Sequence, residues 1–352
     1  MTRPFVSVLI DTYNHERFIE QAIVSVLEQD FSANEREILV VDDGSTDSTP
    51  EIIRKFVPHV RLLRKLNGGQ ASAFNAGIPE CKGQIVAFLD GDDWWEPQKL
   101  SVVAAEFESH RQIGTVGHGI FEVDETGKRL NQIVPDRTYE SHLSNREEGH
   151  EFLPLRAFLG TSRLSVRRSV LDRIIPLPAS LQVEADEFLV AVATALGGTR
   201  VLHQPLTNYR LHSGNLFQFS EWDTEKAKRK YGSLATIARE LPARLAAAGI
   251  ADEVAEILTN SVNLDAVRLR LSMGEGWSWE TVKVEREAYR QSYGHATFGY
   301  RIFHLVVLGI ATVLPPRVFY KLRQWYTARG LVRVRRLVGE ATPVTSLAVR
   351  KV

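Results

Sequence analysis

Apolar and polar residues alternate in blocks through the first ninety positions of the chain. Four short apolar runs predict buried strands, at 5–10, 38–41, 60–63 and 85–89. Apolar residues at helical spacing predict helices at 17–29 and 71–79, and Pro50 behind a capping residue predicts another helix start. Strands and helices that alternate in this way predict a mainly parallel sheet with helices on both faces.

Polar segments follow four of these elements, at 11–14, 42–45, 67–70 and 90–93. In open sheets of this kind, ligands bind beyond the carboxyl ends of the strands. The last segment has three carboxylates in four positions, Asp90, Asp92 and Asp93, which repel one another unless a cation or strong donors face them. Mg²⁺ or Mn²⁺ suits such oxygen ligands and commonly bridges a carboxylate to nucleotide phosphates. A solvated turn before Pro97 is the alternative interpretation.

Beyond residue 96 the pattern is less regular. We expect a helix at 97–109, a hairpin of strands at 114–123 and 129–134, a polar loop at 135–150 and a helix that begins with acids at 184–187. After Ser220 only helical patterns follow, at 225–239, 241–248 and 252–273. The chain is therefore expected to divide into an α/β domain at 1–222 and a helical region at 223–352.

Composition adds few constraints to this picture. The 352 residues are 44% hydrophobic and 24% charged, which is ordinary for a globular protein. A single cysteine, Cys81, excludes a disulfide framework and a multi-cysteine zinc site. The amino-terminal sequence has no signal-peptide pattern, so a reducing, cytoplasmic setting is expected.

Charge distinguishes the end of the chain from the rest. Positions 315–352 contain nine Lys and Arg residues against one acid, although the net charge of the whole chain is zero. The apolar run at 302–314 is too short to span a bilayer, which leaves a buried or an interfacial helix. Basic residues among aromatics suit an anionic membrane surface on the inner face of the cell membrane, with packing on protein as the alternative. We expect no nucleic-acid partner, because no recognised nucleic-acid fold accompanies the basic residues.

The order of the polar motifs resembles that of the family-two glycosyltransferases. The motifs are Ser-Val-Leu-Ile-Asp-Thr-Tyr-Asn at 7–14, Val-Asp-Asp-Gly-Ser-Thr-Asp at 41–47, the glycine segment 68–77 and Phe-Leu-Asp-Gly-Asp-Asp at 88–93. The resemblance covers roughly residues 5–215 and implies the GT-A fold, a Rossmann-like mixed sheet, followed here by a helical extension. It further implies transfer from a nucleotide-diphosphate sugar, such as a UDP-sugar, to a saccharide, lipid-linked or other hydroxyl acceptor.

The resemblance also assigns roles to individual positions. Asp92 would bind the metal and His212 would approach it. The residues implied to bind the donor are Thr12, Tyr13, Asn14, Asp43, Gly69, Asp90 and Arg210. One departure is visible, since Phe74 stands in Ala73-Phe74-Asn75 where many members have arginine. A charge that would touch the donor or the acids is therefore absent, which leaves the choice of donor open.

Inverting sugar transfer requires a carboxylate that takes the proton of the acceptor hydroxyl. In the family, the Asp of a Glu-Asp pair at the start of a helix does this, and the matching position here is Asp186, with Glu184 and Glu187 as neighbouring candidates. A helix amino terminus favours an ionised carboxyl, although acids there also stabilise a helix without any catalytic role. The small-residue segment 160–163 matches the acceptor-side wall of similar enzymes, or else begins a strand.

Two other classes of function remain open. A nucleotidyltransferase also places a metal carboxylate beside phosphates, but it would need a basic triphosphate-binding loop, and the loop 67–70 has no basic residue. A nucleotide-sugar-binding module without turnover would keep the binding residues and release no product.

Overall fold

The structure, a computed structural model, describes residues 5–212, 224–293 and 298–329. These residues form ten strands and twelve α-helices. The strands are β1 Val6–Thr12, β2 Arg36–Asp42, β3 Arg61–Arg64, β4 Ile85–Asp90, β5 Trp94–Trp95, β6 Thr115–Val123, β7 Arg129–Ile133, β8 Tyr139–Ser141, β9 Ser165–Arg167 and β10 Thr199–Arg210. The helices are α1 Ile19–Leu27, α2 Thr49–Arg54, α3 Gln70–Glu80, α4 Lys99–Ser109, α5 Arg146–Leu155, α6 Arg168–Ile174, α7 Ala185–Gly197, α8 Thr224–Ala247, α9 Asp252–Ser272, α10 Ser278–Tyr293, α11 Phe298–Val313 and α12 Pro316–Arg329.

One mixed sheet holds all ten strands. Its order is β3-β2-β1-β4-β9-β6-β10-β5, with β7 beside β6 and β8 beside β10. The first four strands in the chain are parallel, as predicted, and β6 and β10 form a second parallel pair. β9 lies antiparallel between β4 and β6 and joins the two parallel parts. The sheet is therefore mixed, as the resemblance implied.

Strand register determines where the polar motifs lie. Along β1, Thr12 pairs with Asp42 of β2, and Asp11 pairs with Asp90 of β4. Because these three strands run parallel, their carboxyl ends meet at one edge of the sheet. The polar segments predicted from the sequence therefore converge there.

Helices cover both faces of the sheet because side chains alternate between the faces along each strand. Val8 and Ile10 of β1 pack on one face with the apolar stripe of α1, whereas Leu9 packs on the other face with Phe74 and Phe88. The second face also contains α7 and buried residues of α5, α8 and α9. The first two helices after residue 222 thus share the core of the α/β domain, and the expected division at 222/223 stays a prediction.

The last three helices form a smaller cluster. Val284, Ala311, Phe319 and Tyr320 pack together there with Leu271 at the end of α9. Across the described ranges, no helix combines the length and the apolar composition that crossing a membrane requires.

Two sequence expectations were wrong. The stretch 135–150, expected as a loop, contains β8 and the start of α5. Asn145 caps that helix by accepting a hydrogen bond from the Glu148 N–H at 3.0 Å, and Phe152 is buried in the core. The two helices expected at 225–239 and 241–248 are the single helix α8, with Pro242 inside it.

Candidate active site

Three carboxylates at the carboxyl end of β4 lie close enough to share one ion. Ligand oxygens of Asp90, Asp92 and Asp93 lie within 4.8 Å of one another. Asp93 is buried, and its Oδ1 accepts the backbone N–H of Arg210 at 2.8 Å, while its Oδ2 has no hydrogen-bond partner among the described residues. Burial and the charge of Asp92 raise the pKa of Asp93 to about 8. A cluster with an unpartnered buried oxygen fits a cation that prefers oxygen ligands.

Two histidines flank Asp92. Its Oδ2 lies 3.0 Å from Nε2 of His212 and 3.8 Å from Nε2 of His15. Burial acts to raise the pKa of Asp92, but the two histidines together hold that pKa below its ordinary value. The structure thus brings Asp92 and His212 together as the resemblance implied. It adds His15, which the sequence analysis missed although His15 directly follows the first polar motif.

Asp11 is a second missed residue. It pairs in register with Asp90, and its Oδ1 is buried without a partner within the described residues. Burial, and then the charges of Asp92 and Asp186, raise the pKa of Asp11 well above its ordinary value. Asp11, on β1, therefore lies near both the acid cluster and the candidate base. A carboxylate near the end of an otherwise apolar strand was the available signal.

Arg210 fixes the acid loop in place. Its Nε donates to the backbone oxygen of Asp92 at 2.9 Å, and its guanidinium also donates to the backbone oxygen of Glu125 and to Gln21. The guanidinium lies between the rings of Phe18 and Trp94, 4.6 and 4.5 Å from their centroids. These contacts hold the loop that bears the acids, so a contact of Arg210 with phosphate would come in addition to them.

Asp43 organises the glycine loop. Its carboxylate accepts Nζ of Lys65 at 2.6 Å and the backbone N–H groups of Gly68 and Gly69 at 3.1 and 2.7 Å. Gly69 has φ +83°, and a Cβ there would lie 2.6 Å from Cα of Gln182. Only glycine fits this conformation and this close approach. The glycine loop is therefore held between β2 and the segment that leads into α7.

The three residues after Asp11 that were implied to bind the donor occupy different environments. Thr12 is buried, with Oγ1 3.1 Å from Nδ1 of His15. Asn14 has φ +56°, and its Oδ1 accepts the Thr46 N–H at 2.8 Å, which ties the first two polar loops together. Tyr13 is 43% exposed. Tyr13 and Asn14 are thus exposed, whereas Thr12 is buried.

Asp186 lies in the first turn of α7 and is buried. Its Oδ2 accepts the Thr161 N–H at 3.0 Å and the Thr161 hydroxyl at 3.1 Å, and its Oδ1 accepts the Glu187 N–H at 2.9 Å. Every one of these partners donates a hydrogen bond.

The neighbouring acids have cationic partners. Glu184 Oε1 lies 2.6 Å from Nζ of Lys230 in α8, and Glu187 forms an ion pair with Arg156. Burial, opposed by the charge of Lys230, raises the pKa of Glu184 to about 6. Among the ion pairs of the described residues none involves Asp186, which distinguishes it from the other two candidates.

A 3-10 turn, Thr161–Arg163, connects the candidate base to the acid cluster. Thr161 binds Asp186, and the hydroxyl of the next residue, Ser162, donates to Asp90 Oδ2 at 3.2 Å. Gln70 at the start of α3 donates to the Thr161 hydroxyl at 2.9 Å and accepts the Ala185 N–H at 2.8 Å. The small-residue segment thus joins both halves of the site, and Gln70 is a positioning residue that the sequence analysis missed.

The departure at Phe74 is structural. Phe74 is fully buried, with its ring 5.1 Å from that of Phe88 between centroids. The position therefore serves the core beneath the acid cluster and presents no charge to the site.

Comparison with known proteins gives a family and a fold. The model for Glycosyl transferase family 2 matches residues 7–175. An uncharacterized glycosyltransferase of Nostoc sp. is 33% identical over 218 residues, which are 60% of this chain and 66% of that protein. The alignment does not extend over the whole of that relative.

Two solved structures share the fold. TarS 1–349 of S. aureus in complex with UDP-GlcNAc has a TM-score of 0.58 at 21% identity and covers 82% of this chain and 81% of its own. A mannosyltransferase of Pyrobaculum calidifontis in complex with GDP-Man and Mn²⁺ has a TM-score of 0.50 at 18% identity, covering 97% and 89% of the two chains. At these identities the likeness concerns the fold alone.

Proposed function

Because this chain carries a family-two glycosyltransferase domain with the GT-A fold, we propose that it transfers a sugar from a UDP-sugar to a hydroxyl acceptor with inversion. One observation carries the proposal. Asp186, a buried carboxylate without a cationic partner among the described residues, is joined through Thr161 and Ser162 to an acid cluster suited to a cation. Asp186 would supply the proton acceptor, and the acid cluster would supply the site for the leaving diphosphate.

Asp186 is the proposed general base. It would accept the proton of the acceptor hydroxyl as that oxygen attacks the anomeric carbon and the bond to the diphosphate breaks. Thr161 and the Glu187 N–H hold both carboxylate oxygens in place. Because a carboxylate oxygen has two lone pairs and Oδ1 accepts only the Glu187 N–H among the described residues, room remains on Oδ1 for a hydroxyl to donate to it.

A divalent cation, Mg²⁺ or Mn²⁺, is the proposed cofactor. Asp92 and His212 would hold it, with Asp90 on the side of the diphosphate and the sugar. When bound, the ion supplies positive charge that stabilises the leaving diphosphate. The unpartnered Oδ2 of Asp93 and the 4.8 Å spread of the acid oxygens support this fit, as does the Mn²⁺ in the Pyrobaculum structure.

The nucleotide is proposed to bind at the ends of β1 and β2. Thr12, Tyr13 and Asn14 would form the base pocket, in which Tyr13 and Asn14 are exposed. Asp43 would contact the base or ribose or shape that pocket through Gly68 and Gly69, and Arg210 would support the diphosphate side. The UDP-GlcNAc in the S. aureus TarS structure supports a UDP-type donor.

The proposed acceptor is a saccharide, a lipid-linked sugar or another hydroxyl compound, in the synthesis of a cell-envelope polysaccharide. A second proposed partner is an anionic membrane surface, which the basic residues at 315–352 would contact. The enzyme would then be cytoplasmic and peripheral to the inner face of the membrane. Most of that basic stretch, 330–352, lies outside the described residues.

The products formed from a nucleotide sugar test the reaction class. Purified protein with Mn²⁺ and a panel of UDP- and GDP-sugars should release nucleoside diphosphate, slowly with water and faster with the correct acceptor. Release of pyrophosphate would indicate nucleotidyl transfer. Absence of both products, together with a ligand-induced rise in the Tm, would indicate a binding module.

A further inference from the structure

Helix α11 exposes an apolar stripe along its length. Ile302, Leu305, Val306, Ile310 and Val313 recur at helical spacing and are 44–79% exposed. Gly309 lies on the same stripe, and an added Cβ there would meet no atom within 4 Å.

The opposite side of α11 packs on the protein. Ala311 is buried in the core of the last three helices, and the ring of His304 stacks on that of Tyr289 with 3.9 Å between centroids. The exposed stripe is therefore not the side that holds the helix to the protein. A contiguous exposed apolar face of this kind marks an interaction site.

Two tryptophans extend this apolar surface. Trp277 and Trp279, before and in the first turn of α10, are 71% and 64% exposed. The hydroxyl of Ser278 between them donates to the backbone oxygen of Leu314 at 2.9 Å. This bond places the segment that bears both tryptophans beside the end of α11. Exposed tryptophans are typical of membrane–water interfaces, where an apolar ring with a polar N–H is favoured.

The charges near the stripe indicate which partner it fits. Residues 298–329, which span α11 and α12, contain five Arg or Lys residues and no acid. One of the five, Arg323, already pairs with Glu285 of α10, and the two helices keep an excess of positive charge. An anionic surface is attracted to this excess, whereas a second copy of the chain would bring a second positive excess against it.

We propose that α11 lies in the interface of an anionic bilayer, with its apolar stripe and the two tryptophans inserted among the lipids. The helix has 16 residues and a length of about 24 Å, which suits a position along the surface and falls short of a bilayer core of about 30 Å. This inference deepens the membrane part of the proposed function and moves the contact from the basic tail to α11. It does not depend on the transfer reaction.

Vesicle flotation with the full chain tests the proposal. Wild-type protein should float with vesicles of phosphatidylcholine containing 30% phosphatidylglycerol and remain largely unbound with neutral phosphatidylcholine vesicles. Leu305→Glu combined with Ile310→Glu should weaken binding to the anionic vesicles by about tenfold or more. Leu130→Glu is the matched control, because Leu130 is an exposed apolar residue on β7, distant in sequence from α11.

Both replaced positions in α11 are exposed, so the Tm of the double variant should match that of wild type. Leu305→Ser combined with Ile310→Ser removes the apolar groups without adding charge and should also weaken binding. If both double variants bind the anionic vesicles as strongly as wild type does, the proposal is overturned. A wild-type dimer that the variants dissociate in sedimentation would overturn it too, because the stripe would then contact a second copy. Nucleoside diphosphate release by the same proteins reports separately on the proposed transfer reaction.

Discussion

The carboxylates of the site differ in what surrounds them, and the surroundings decide what each can do. Asp92 has two histidines beside it, whereas both oxygens of Asp186 accept hydrogen bonds from backbone N–H groups and a hydroxyl. Asp11 and Asp93 each keep a buried oxygen without a partner within the described residues. We expect the cation to bind at the acid cluster, where the carboxylates repel one another. We expect the base to be Asp186, which forms no ion pair within the described residues.

Asp92→Ala tests the metal assignment. If Asp92 holds the ion that bridges to the diphosphate, the variant should lose transfer and should bind UDP more weakly than wild type in Mn²⁺, with little difference in EDTA. Calorimetry with and without Mn²⁺ measures both affinities. Equal losses of affinity in the two conditions would remove Asp92 from the metal site.

The acid cluster also predicts a pH dependence of stability. The folded-state pKa values of Asp11, Asp90 and Asp93 are raised, to about 8 for Asp93, chiefly by burial. A carboxyl whose pKa is raised on folding stabilises the protein below its unfolded pKa and loses that contribution as the pH rises through the folded value. For each such carboxyl, the free energy of unfolding falls by up to about 1.4 kcal/mol per pH unit between its unfolded and its folded pKa.

The Tm of metal-free protein should therefore fall from pH 6 to pH 9, and Mn²⁺ should raise the Tm more at pH 9 than at pH 6. Differential scanning calorimetry at both pH values, with EDTA or Mn²⁺, measures this difference. A gain from Mn²⁺ that does not change with pH would show that the cluster is not where the ion binds.

Asp43→Ala tests the glycine loop. The variant removes the acceptor for Lys65, Gly68 and Gly69, so the loop should loosen and UDP and UDP-sugar should bind more weakly to a similar degree. Asp43→Asn, which keeps the shape and part of the acceptor capacity, should lose less. Calorimetry that finds unchanged UDP affinity for Asp43→Ala would separate this loop from the nucleotide site.

At the scale of elements, hydrophobic pattern was sufficient wherever a strand is buried on both faces. β1, β2 and β4 appear in the sequence as apolar runs, and their register carries Asp11, Asp42 and Asp90 to one edge. Helix α5 was missed because its first turn is polar and only Phe152 and Leu155 bury its apolar side. Local pattern cannot reveal contacts made across the chain.

The same limit explains the missed site residues. Gln70 contacts Thr161 and Ala185, which are 91 and 115 positions away in the sequence. His15 contacts Asp92 only because β1 and β4 are neighbours in the sheet. The motifs indicated the edge of the sheet and the acids on it, whereas the residues that position them became visible only with the tertiary contacts.

A buried lysine in helix α4 allows a test of stability at the scale of one element. Lys99 is fully buried, its Nζ has no hydrogen-bond partner among the described residues, and it lies 3.2 Å from the centroid of the Trp95 ring. Burial lowers the pKa of Lys99 far below its ordinary value. Lys99→Met keeps the length of the side chain and removes the buried amine, so it should stabilise the fold by about 1–3 kcal/mol.

Thermal unfolding measures the effect, with Lys128→Met on the exposed turn as the control that should leave the Tm unchanged. A lower Tm for Lys99→Met would mean that the amine contributes to stability in the folded protein.

At the scale of the whole molecule, the helical region supports α7, the helix that bears Asp186. Lys230 of α8 pairs with Glu184, and Arg156 pairs with Glu187 and donates to Ser261 of α9 at 2.8 Å. Both acids beside Asp186 thus hold α8 and α9 against the α/β domain.

Removal of the basic tail by truncation after Leu314 would also remove Phe319 and Tyr320 from the cluster of the last three helices. Charge substitutions on α11 are therefore the cleaner test of membrane contact.

This arrangement predicts different results for the three acids at the start of α7. Glu184→Gln and Glu187→Gln should lower the Tm, because each replaces an ion pair with a weaker contact to a partly buried cation, and should leave the chemical step largely intact. Asp186→Asn keeps the shape of the side chain but cannot accept a proton. It should therefore affect the chemistry rather than the binding of the donor.

The most direct test of the account is single-turnover transfer by Asp186→Asn, measured beside the donor Kd of the same variant. We expect the rate to fall by about 10²–10⁴-fold, the range for loss of a general base, while the Kd of the donor stays near that of wild type. A near-normal rate for Asp186→Asn, with the loss found instead in Glu184→Gln or Glu187→Gln, would contradict the assignment of Asp186 as the base.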